Sequence, residues 1–236
     1  MKALFWDFDG TLIDTREKNY RVTQRIVQHV TGHDYRRFEF LQTFDNYKNG
    51  LPAAANWREI YKLYFGFDEE QIDYVGQLWT EFQLRDTTPT PLFSGIKNVV
   101  SRFCHLPMAI ISQNSKASIY MQLEQNKIHN CFNQIIGFEQ VNIRKQKPEP
   151  DGILLCLQNM NLKSDSTVFY FGDHETDVLL VNNTNDHLRL QKNPPKVISV
   201  GVFYGNDQRV TDWELQPEYH VNHVIELIPV IEQFKD

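Results

Sequence analysis

Short apolar runs alternate with amphipathic segments along most of the chain. Four runs bounded by polar residues lie at 3–8, 108–111, 168–171 and 197–200. Continuous apolar runs of this length are typical of strands buried on both faces of a parallel sheet. Segments with helical apolar spacing separate the runs from about Leu92 onward, so strand and helix alternate. The pattern predicts an α/β fold.

The stretch from residue 14 to 88 departs from this alternation, because it contains no convincing strand. Apolar residues recur there at helical spacing in three stripes. The stripes comprise Val22, Ile26 and Val30; Trp57, Ile60, Tyr61 and Tyr64; and Ile72, Val75, Trp79 and Phe82. Prolines 89 and 91 then mark a return hinge, since proline resists helix and strand interiors. We predict an all-helical insertion at 15–88 in an α/β core of residues 1–14 and 89–236.

Charge and hydropathy restrict the partners of the protein. The formal net charge is −6, with 24 basic and 30 acidic residues and no concentrated basic block. Nucleic acid and anionic membrane surfaces are therefore poor partners. No apolar run approaches the ~18 residues that span a bilayer, and the opening run stops at Asp7, which is too early for a signal peptide. We expect a cytoplasmic protein, as a monomer or homodimer.

The cysteines and one polar segment add two expectations. The three cysteines, Cys104, Cys131 and Cys156, are odd in number and widely spaced. That spacing argues against a disulfide framework and a paired-cysteine zinc site, and fits a reducing compartment. The polar run at 182–195 ends in two prolines and predicts a helix end followed by a long loop.

Two aspartates close the first apolar run, in Asp7-Phe8-Asp9-Gly10-Thr11. Alternate strand residues share a face, so Asp7 and Asp9 project the same way. Ligands of open parallel sheets bind outside the carboxyl ends of the strands, and two acids there suit a hard cation or a shared proton. Gly10 permits a sharp turn and Thr11 adds a hydroxyl beside it. A solvated Asp-Gly turn is the plainer alternative.

A second acidic pair follows the run at 168–171, with Asp173 after Gly172 and Asp177 four residues later. If a helix begins here, the two acids lie one turn apart and can face one ion. Oxygen donors without cysteine or clustered histidine favour Mg²⁺ over zinc or copper. Helix capping by Asp173 is the alternative. Capping accounts for one acid, but not for acids at two strand ends.

Two further segments carry candidate phosphate-binding groups. Ser112 and Gln113 follow the run at 108–111, where backbone N–H groups of a helix start and the Ser112 hydroxyl make a receptor for a phosphate oxygen. Such residues are also ordinary helix caps. Lys147 precedes Pro148 in an extended segment before a helix. A lysine there can neutralise a phosphate together with a nucleophilic carboxylate, although most single lysines are solvated.

The order and separation of these four motifs resemble the haloacid dehalogenase-like hydrolase superfamily over nearly the whole chain. An insertion directly after the first motif is similar to the subclass with a helical cap. The segment from Lys147 to Pro150 is similar to the phosphoglycolate phosphatase branch, and Gly50-Leu51-Pro52 gives a shorter match to its cap. The resemblance implies a Rossmann-like parallel sheet flanked by helices, with residues 15–88 as the cap.

The resemblance also assigns roles to the acids. It implies a nucleophile at Asp7 and an acid/base at Asp9. It implies Mg²⁺ at Asp7, the Asp9 carbonyl and Asp173, and the spacing adds Asp177. Phosphate contacts are implied at Ser112 and Lys147, with Thr11 and Gln113 as further candidates. His174, in place of a small residue, and the long segment at 182–195 depart from the family pattern without removing a catalytic group.

These motifs predict a Mg²⁺-dependent phosphatase that hydrolyses a small phosphate monoester, phosphoglycolate-like or a sugar phosphate, through an aspartyl-phosphate. A sugar-phosphate mutase on the same scaffold is the alternative. A haloacid dehalogenase is disfavoured because its relatives lack the second aspartate, here Asp9. A non-catalytic binding module is disfavoured because the motif residues are all present. Candidate substrate contacts in the cap are Lys48, Asn49, Arg58 and Lys62.

Overall fold

A central sheet of six parallel strands organises the larger part of the molecule. The computed structural model describes residues 1–54, 56–162, 166–205 and 208–233. The strands are β1 Lys2–Trp6, β2 Met108–Ile111, β3 Gln134–Ile136, β4 Thr167–Gly172, β5 Lys196–Val202 and β6 Tyr219–Val221. Their order is β3-β2-β1-β4-β5-β6, and every neighbouring pair is parallel. The predicted α/β fold is confirmed.

Both faces of the sheet are buried, which explains why its strands have continuous apolar runs. In β1, Leu4 and Trp6 belong to one hydrophobic cluster, whereas Ala3 and Phe5 belong to the cluster on the other face. This division follows from the alternation of side chains along a strand. All of these residues are fully buried. The central strand is therefore held rigidly, and the polar residues that follow it start from a fixed point.

In the part of the chain that the structure describes, five α-helices cover the sheet. They are α6 Ile96–Arg102, α7 Lys116–Gln125, α8 Asp151–Asn159, α9 Glu175–Leu188 and α10 Leu227–Glu232. Apolar residues of α6, α7 and α10 complete the cluster that contains Trp6. Residues of α8 and α9 complete the cluster that contains Phe5. The result is a three-layer arrangement with helices on both faces, as expected for an open parallel sheet.

The remaining five helices form the segment predicted to be all-helical. They are α1 Arg16–Thr31, α2 Glu39–Gln42, α3 Phe44–Gly50, α4 Trp57–Phe65 and α5 Glu69–Arg85. The predicted stripes lie on α1, α4 and α5, and their buried members share one core, which includes Val22, Ile26 and Val75. The sequence pattern missed α2 and α3, which are too short to show a helical period.

The chain divides into two compact units. One consists of Met1–Asp14 and Pro91–Asp236, and the other of Thr15–Thr90. The sequence-based boundary placed the return to the α/β core at residue 89, two residues before Pro91. None of the helices in the described part of the chain combines the length and apolar character needed to cross a bilayer.

Two local predictions differ from the structure. Helix α9 continues to Leu188, so the first seven residues of the predicted loop at 182–195 are helical. Thr184 and Leu188 are buried in this helix, so its last turns have a buried face that their largely polar composition does not reveal. The sheet also has two edge strands, β3 and β6, of three residues each. Such short strands carry too few residues for a recognisable pattern.

The cysteine expectation is wrong for one pair. Cys104 and Cys131 form a disulfide across a sequence separation of 27 residues, and Cys156 is a buried free thiol. Cys104 follows α6, and Cys131 lies in a 3₁₀ turn just before β3. An odd count and wide spacing did not exclude pairing because the fold brings the two segments together. Disulfides are rare in reducing compartments, so the expected cytoplasmic location stays a prediction.

We expect removal of this disulfide to lower the free energy of unfolding by about 3.5 kcal/mol, the loop-closure cost for a separation of 27 residues. The measurement is urea unfolding of the Cys104→Ser/Cys131→Ser double variant beside the native protein. A thiol titration of unfolded, unreduced protein should count one free cysteine, Cys156, and reduction should raise the count to all three. Three free thiols before reduction would contradict the pairing.

Candidate active site

The chain turns sharply after β1 and presents two carboxylates. The carbonyl of Phe8 accepts hydrogen bonds from the N–H groups of Leu12 and Ile13, which closes a tight turn. Gly10 has φ +81° in that turn, and a Cβ there would overlap the Asp173 carboxylate. Glycine is therefore required both for the backbone conformation and for the approach of Asp173. The turn brings the end of β1 against the end of β4.

The second pair of acids, Asp173 and Asp177, follows the end of β4. Asp173 lies just before α9, and Asp177 lies in its first turn. The N-cap is His174, whose Nδ1 accepts the Thr176 N–H at 3.1 Å. Asp177 Oδ2 accepts the His174 N–H at 3.3 Å. Asp173 is therefore not the N-cap of α9, and its carboxylate lies in a cluster with those of Asp7 and Asp177.

Lys147 joins the acids from a third segment of the chain. Its Nζ donates to Asp7 Oδ1 at 2.5 Å and to Asp177 Oδ1 at 2.9 Å. All three side chains are buried, with 6%, 12% and 7% exposed for Lys147, Asp7 and Asp177. Buried charges are stable only when they are paired and hydrogen-bonded. The lysine therefore orders two acids that come from different strand ends.

Burial and crowding shift the pKa values of these groups. Burial raises the pKa of Asp7 to about 7, opposed by the charge of Lys147 and reinforced by that of Asp177. Burial, together with the charges of Asp7 and Asp177, raises the pKa of Asp173 well above its usual range. Burial alone would lower the pKa of Lys147, but Asp177 and Asp7 raise it well above its usual value. The site has a surplus of negative charge.

The acidic cluster fits a divalent cation. One carboxylate oxygen from each of Asp7, Asp173 and Asp177 lies within 4.8 Å of the others. Fully ionised, the three carboxylates beside one lysine would leave two negative charges uncompensated, and this repulsion together with burial raises the pKa values of Asp7 and Asp173. Hard divalent cations bind oxygen ligands of this kind, and Mg²⁺ usually takes one or two carboxylates with water or substrate oxygens. Asp177 is the weaker candidate for a ligand, because both of its carboxylate oxygens accept hydrogen bonds, Oδ1 from Lys147 and Oδ2 from the His174 N–H.

The segment after β2 lies beside the lysine. Ser112 is buried, and its Oγ accepts the N–H of Asn114 at 3.0 Å. Gln113 Nε2 donates to the Lys147 carbonyl at 3.3 Å. Ser112, Gln113 and Lys147 line one small cavity. The structure therefore brings these three candidate phosphate contacts together, while their roles stay predictions.

Thr11 is buried, whereas a residue that contacts a phosphate directly would be expected to face the open site. Its side chain is fully buried, and its Oγ1 lies 3.5 Å from Asp173 Oδ1, the outer limit of a hydrogen bond. Its carbonyl accepts the hydroxyl of Tyr204 at 2.7 Å. Thr11 therefore supports the turn and the Asp173 carboxylate. A direct phosphate contact by Thr11 stays a prediction.

Two residues at the site were not singled out from the sequence. The Tyr170 hydroxyl donates to the Ile111 carbonyl at 3.1 Å and lies 3.3 Å from Asp177 Oδ1. Asn114 Nδ2 donates to both carboxylate oxygens of Asp9. In the sequence, Tyr170 is part of an apolar strand and Asn114 is part of a polar helix start, so neither residue stands out. An inward-facing hydroxyl in an apolar strand beside the acidic motif was the available signal for Tyr170.

Comparison with known proteins shows which protein family the chain belongs to. The family model for haloacid dehalogenase-like hydrolases matches residues 4–186, which include all four motifs. The chain belongs to this family, which confirms the predicted class of hydrolase.

Individual relatives are distant but similar over most of their length. A pyrophosphatase PpaX from Oceanobacillus iheyensis is 22% identical over 78% of this chain and 80% of its own length. The crystal structure of a predicted phosphatase from Clostridium acetobutylicum is 20% identical, covers 99% of both chains and has a TM-score of 0.72. That of a predicted phosphoglycolate phosphatase from Haemophilus somnus is 12% identical, covers 98% of both chains and has a TM-score of 0.67.

Proposed function

We propose that the protein is a Mg²⁺-dependent phosphatase that hydrolyses a small phosphorylated compound through an aspartyl-phosphate at Asp7. One observation carries the proposal. Asp7 is held by Lys147 beside Asp173 and Asp177, at the carboxyl edge of the sheet. This edge is where ligands of open α/β sheets bind. A buried carboxylate beside a lysine and a cation site has the surroundings that an anionic substrate requires.

Asp7 acts as the nucleophile. A carboxylate oxygen of Asp7 attacks phosphorus, and the bond from phosphorus to the ester oxygen breaks, so that the phosphoryl group becomes attached to the chain. Lys147 favours the ionised form of Asp7, since its charge opposes the rise in the pKa of that carboxyl that burial and the neighbouring acids cause. The lysine is placed to offset negative charge on the transferring group.

Asp9 acts as the acid and then as the base. It gives a proton to the departing ester oxygen, which leaves as an alcohol. It then takes a proton from the water that attacks the aspartyl-phosphate, so that the bond from phosphorus to Asp7 breaks and inorganic phosphate is released. The two steps return both carboxyl groups to their starting protonation states.

The cation would be held by Asp7 and Asp173, with the Asp9 carbonyl and Asp177 as further candidates. When bound, Mg²⁺ supplies neutralisation of charge on the phosphoryl oxygens. The charge surplus at the site is the observation that supports this assignment. Asp177 contributes mainly through Lys147, whose ammonium it holds at 2.9 Å.

The all-helical unit is the proposed cap and source of substrate specificity. The support is its insertion directly after the first motif, as in the subclass with a helical cap. Of the candidate contacts there, Arg58 is engaged with Glu69 and Asp73, and Lys48 with Asp45. Lys48 and Arg58 are therefore paired within the unit, and an activity screen of variants in this unit would test its proposed role in specificity.

Two classes of substrate are supported by the relatives. Phosphate monoesters are supported by the neighbours named as phosphatases, and inorganic pyrophosphate by the curated relatives named PpaX. Pyrophosphate presents the same transferable phosphoryl group with a phosphate leaving group, so the residues above can act on either. The leaving-group side of the site decides between the two classes.

The test is an activity screen across phosphate monoesters and pyrophosphate, with and without Mg²⁺. We expect release of inorganic phosphate that EDTA abolishes and Mg²⁺ restores. Rapid quenching during turnover should trap a phosphate adduct on the peptide that contains Asp7. Isomerised sugar phosphate with little free phosphate would instead support the mutase. Activity that survives exhaustive chelation would contradict the role of the metal.

A further inference from the structure

Asn114 contacts Asp9, the proposed acid/base residue, and hydrogen bonds fix both its backbone and its side chain. It is 4% exposed and follows β2 in the loop before α7. Its N–H donates to Ser112 Oγ at 3.0 Å, and its carbonyl accepts the Phe138 N–H at 3.1 Å. Its side-chain Oδ1 accepts the Ser115 N–H at 2.8 Å. The backbone and one end of the amide are thereby fixed.

This anchoring determines where the amide donor points. Because Oδ1 faces an N–H donor, the amide cannot be reversed without placing two donors together. Nδ2 must then point away from Ser115, and it lies 3.4 Å and 3.3 Å from Oδ1 and Oδ2 of Asp9. Because the two distances are nearly equal, the Nδ2 group of Asn114 donates to both oxygens of that carboxyl group. The contact joins residues 105 positions apart in the chain.

We infer that Asn114 is a positioning residue that orients the Asp9 carboxyl for proton transfer to the leaving group, an inference that rests on the proposed function. A general acid must be held within hydrogen-bond reach of the atom that it protonates. An amide N–H can donate to an ionised carboxylate and also to the carbonyl oxygen of a carboxylic acid, more strongly to the former. It therefore orients Asp9 in both states of the cycle, whereas a cation there would oppose protonation.

The inference predicts an effect that depends on the leaving group. p-Nitrophenyl phosphate and phenyl phosphate are similar in shape, but nitrophenolate departs without a proton and phenolate needs one. In Asn114→Ala, the donation to Asp9 is lost and no charge is added beside its carboxyl group. We expect kcat/KM for phenyl phosphate to fall at least tenfold, a fraction of the ~10²–10⁴ contributed by general acids. For p-nitrophenyl phosphate the fall should be less than threefold.

Two controls identify the origin of the effect. Asp9→Asn should show the same preference with a larger loss on phenyl phosphate. Asn185 is a structural amide whose Oδ1 and Nδ2 bond to the backbone of Val197 at 3.2 Å and 2.8 Å. Asn185→Ala should lower thermal stability and leave the ratio of the two kcat/KM values unchanged. Asn114→Ser provides the same comparison if the alanine variant folds poorly.

The outcomes separate this inference from the proposed function. Equal losses on both esters in a folded Asn114 variant would overturn the positioning role. The proposed function would still stand if the native protein hydrolysed the esters and the Asp7→Asn variant did not. If the native protein with Mg²⁺ hydrolyses neither ester nor any other compound of the screen, the proposed function fails and this inference with it.

Discussion

Replacing Asp7 with asparagine is expected to abolish turnover, with kcat lowered by more than about 10³-fold, as for other nucleophiles of covalent mechanisms. The amide has nearly the shape of the carboxylate but cannot attack phosphorus. The variant should fold, because Lys147 retains its ion pair with Asp177. Its melting temperature without metal should equal or exceed that of the native protein, since a carboxyl with a pKa raised by burial is removed.

The measurement is phosphate release at saturating substrate, together with thermal unfolding in EDTA. Asp186→Asn is the matched control, because Asp186 lies on α9, is 64% exposed and pairs with Arg189. This control should retain native activity and stability. More than a tenth of native activity in Asp7→Asn, with the protein folded, would exclude Asp7 as the nucleophile.

Replacing Lys147 with methionine is expected to have the second large effect. The change keeps most of the side-chain volume but leaves Asp7 and Asp177 without the ammonium that lies 2.5 Å and 2.9 Å from them. Removing one partner of a buried ion pair costs about 3–5 kcal/mol, because the remaining charge is uncompensated. We therefore expect a loss of this size in the free energy of unfolding, together with loss of turnover.

Urea unfolding in EDTA measures this effect. Lys145→Met is the matched control, since Lys145 is 60% exposed and pairs with Asp151 at the surface. Its change should stay within about 1 kcal/mol. Adding Asp177→Asn to Lys147→Met should recover part of the lost stability, because one unpaired acid is removed. A Lys147→Met protein as stable as the native one would show that the acids do not depend on the lysine.

Much of the fold could be predicted because its signals are local. The strands β1, β2, β4 and β5 are apolar runs, and the stripes on α1, α4 and α5 have helical spacing. The missed elements are the short helices α2 and α3 and the three-residue strands β3 and β6, which carry too few residues for a clear period. The end of α9 was missed because its buried side, with Thr184 among its residues, is polar in composition.

The disulfide and the helix cap escaped prediction for another reason. Cys104 and Cys131 meet only because their segments lie side by side in the folded chain. The capping position belongs to His174 and not to Asp173, a shift of one residue that leaves Asp173 available to the site. Sequence-based helix boundaries are uncertain by more than that one residue.

The sequence by itself determined the class of fold and the identity of the charged groups, because apolar periodicity and acids after strands are recorded in neighbouring residues. Only the tertiary structure decided which groups meet. Lys147 reaches Asp7 across 140 positions, and Asn114 reaches Asp9 across 105. Parallel strands bring their carboxyl ends to one edge irrespective of their distance along the chain. The proposed division of tasks among these groups rests on burial and distance, which no local pattern contains.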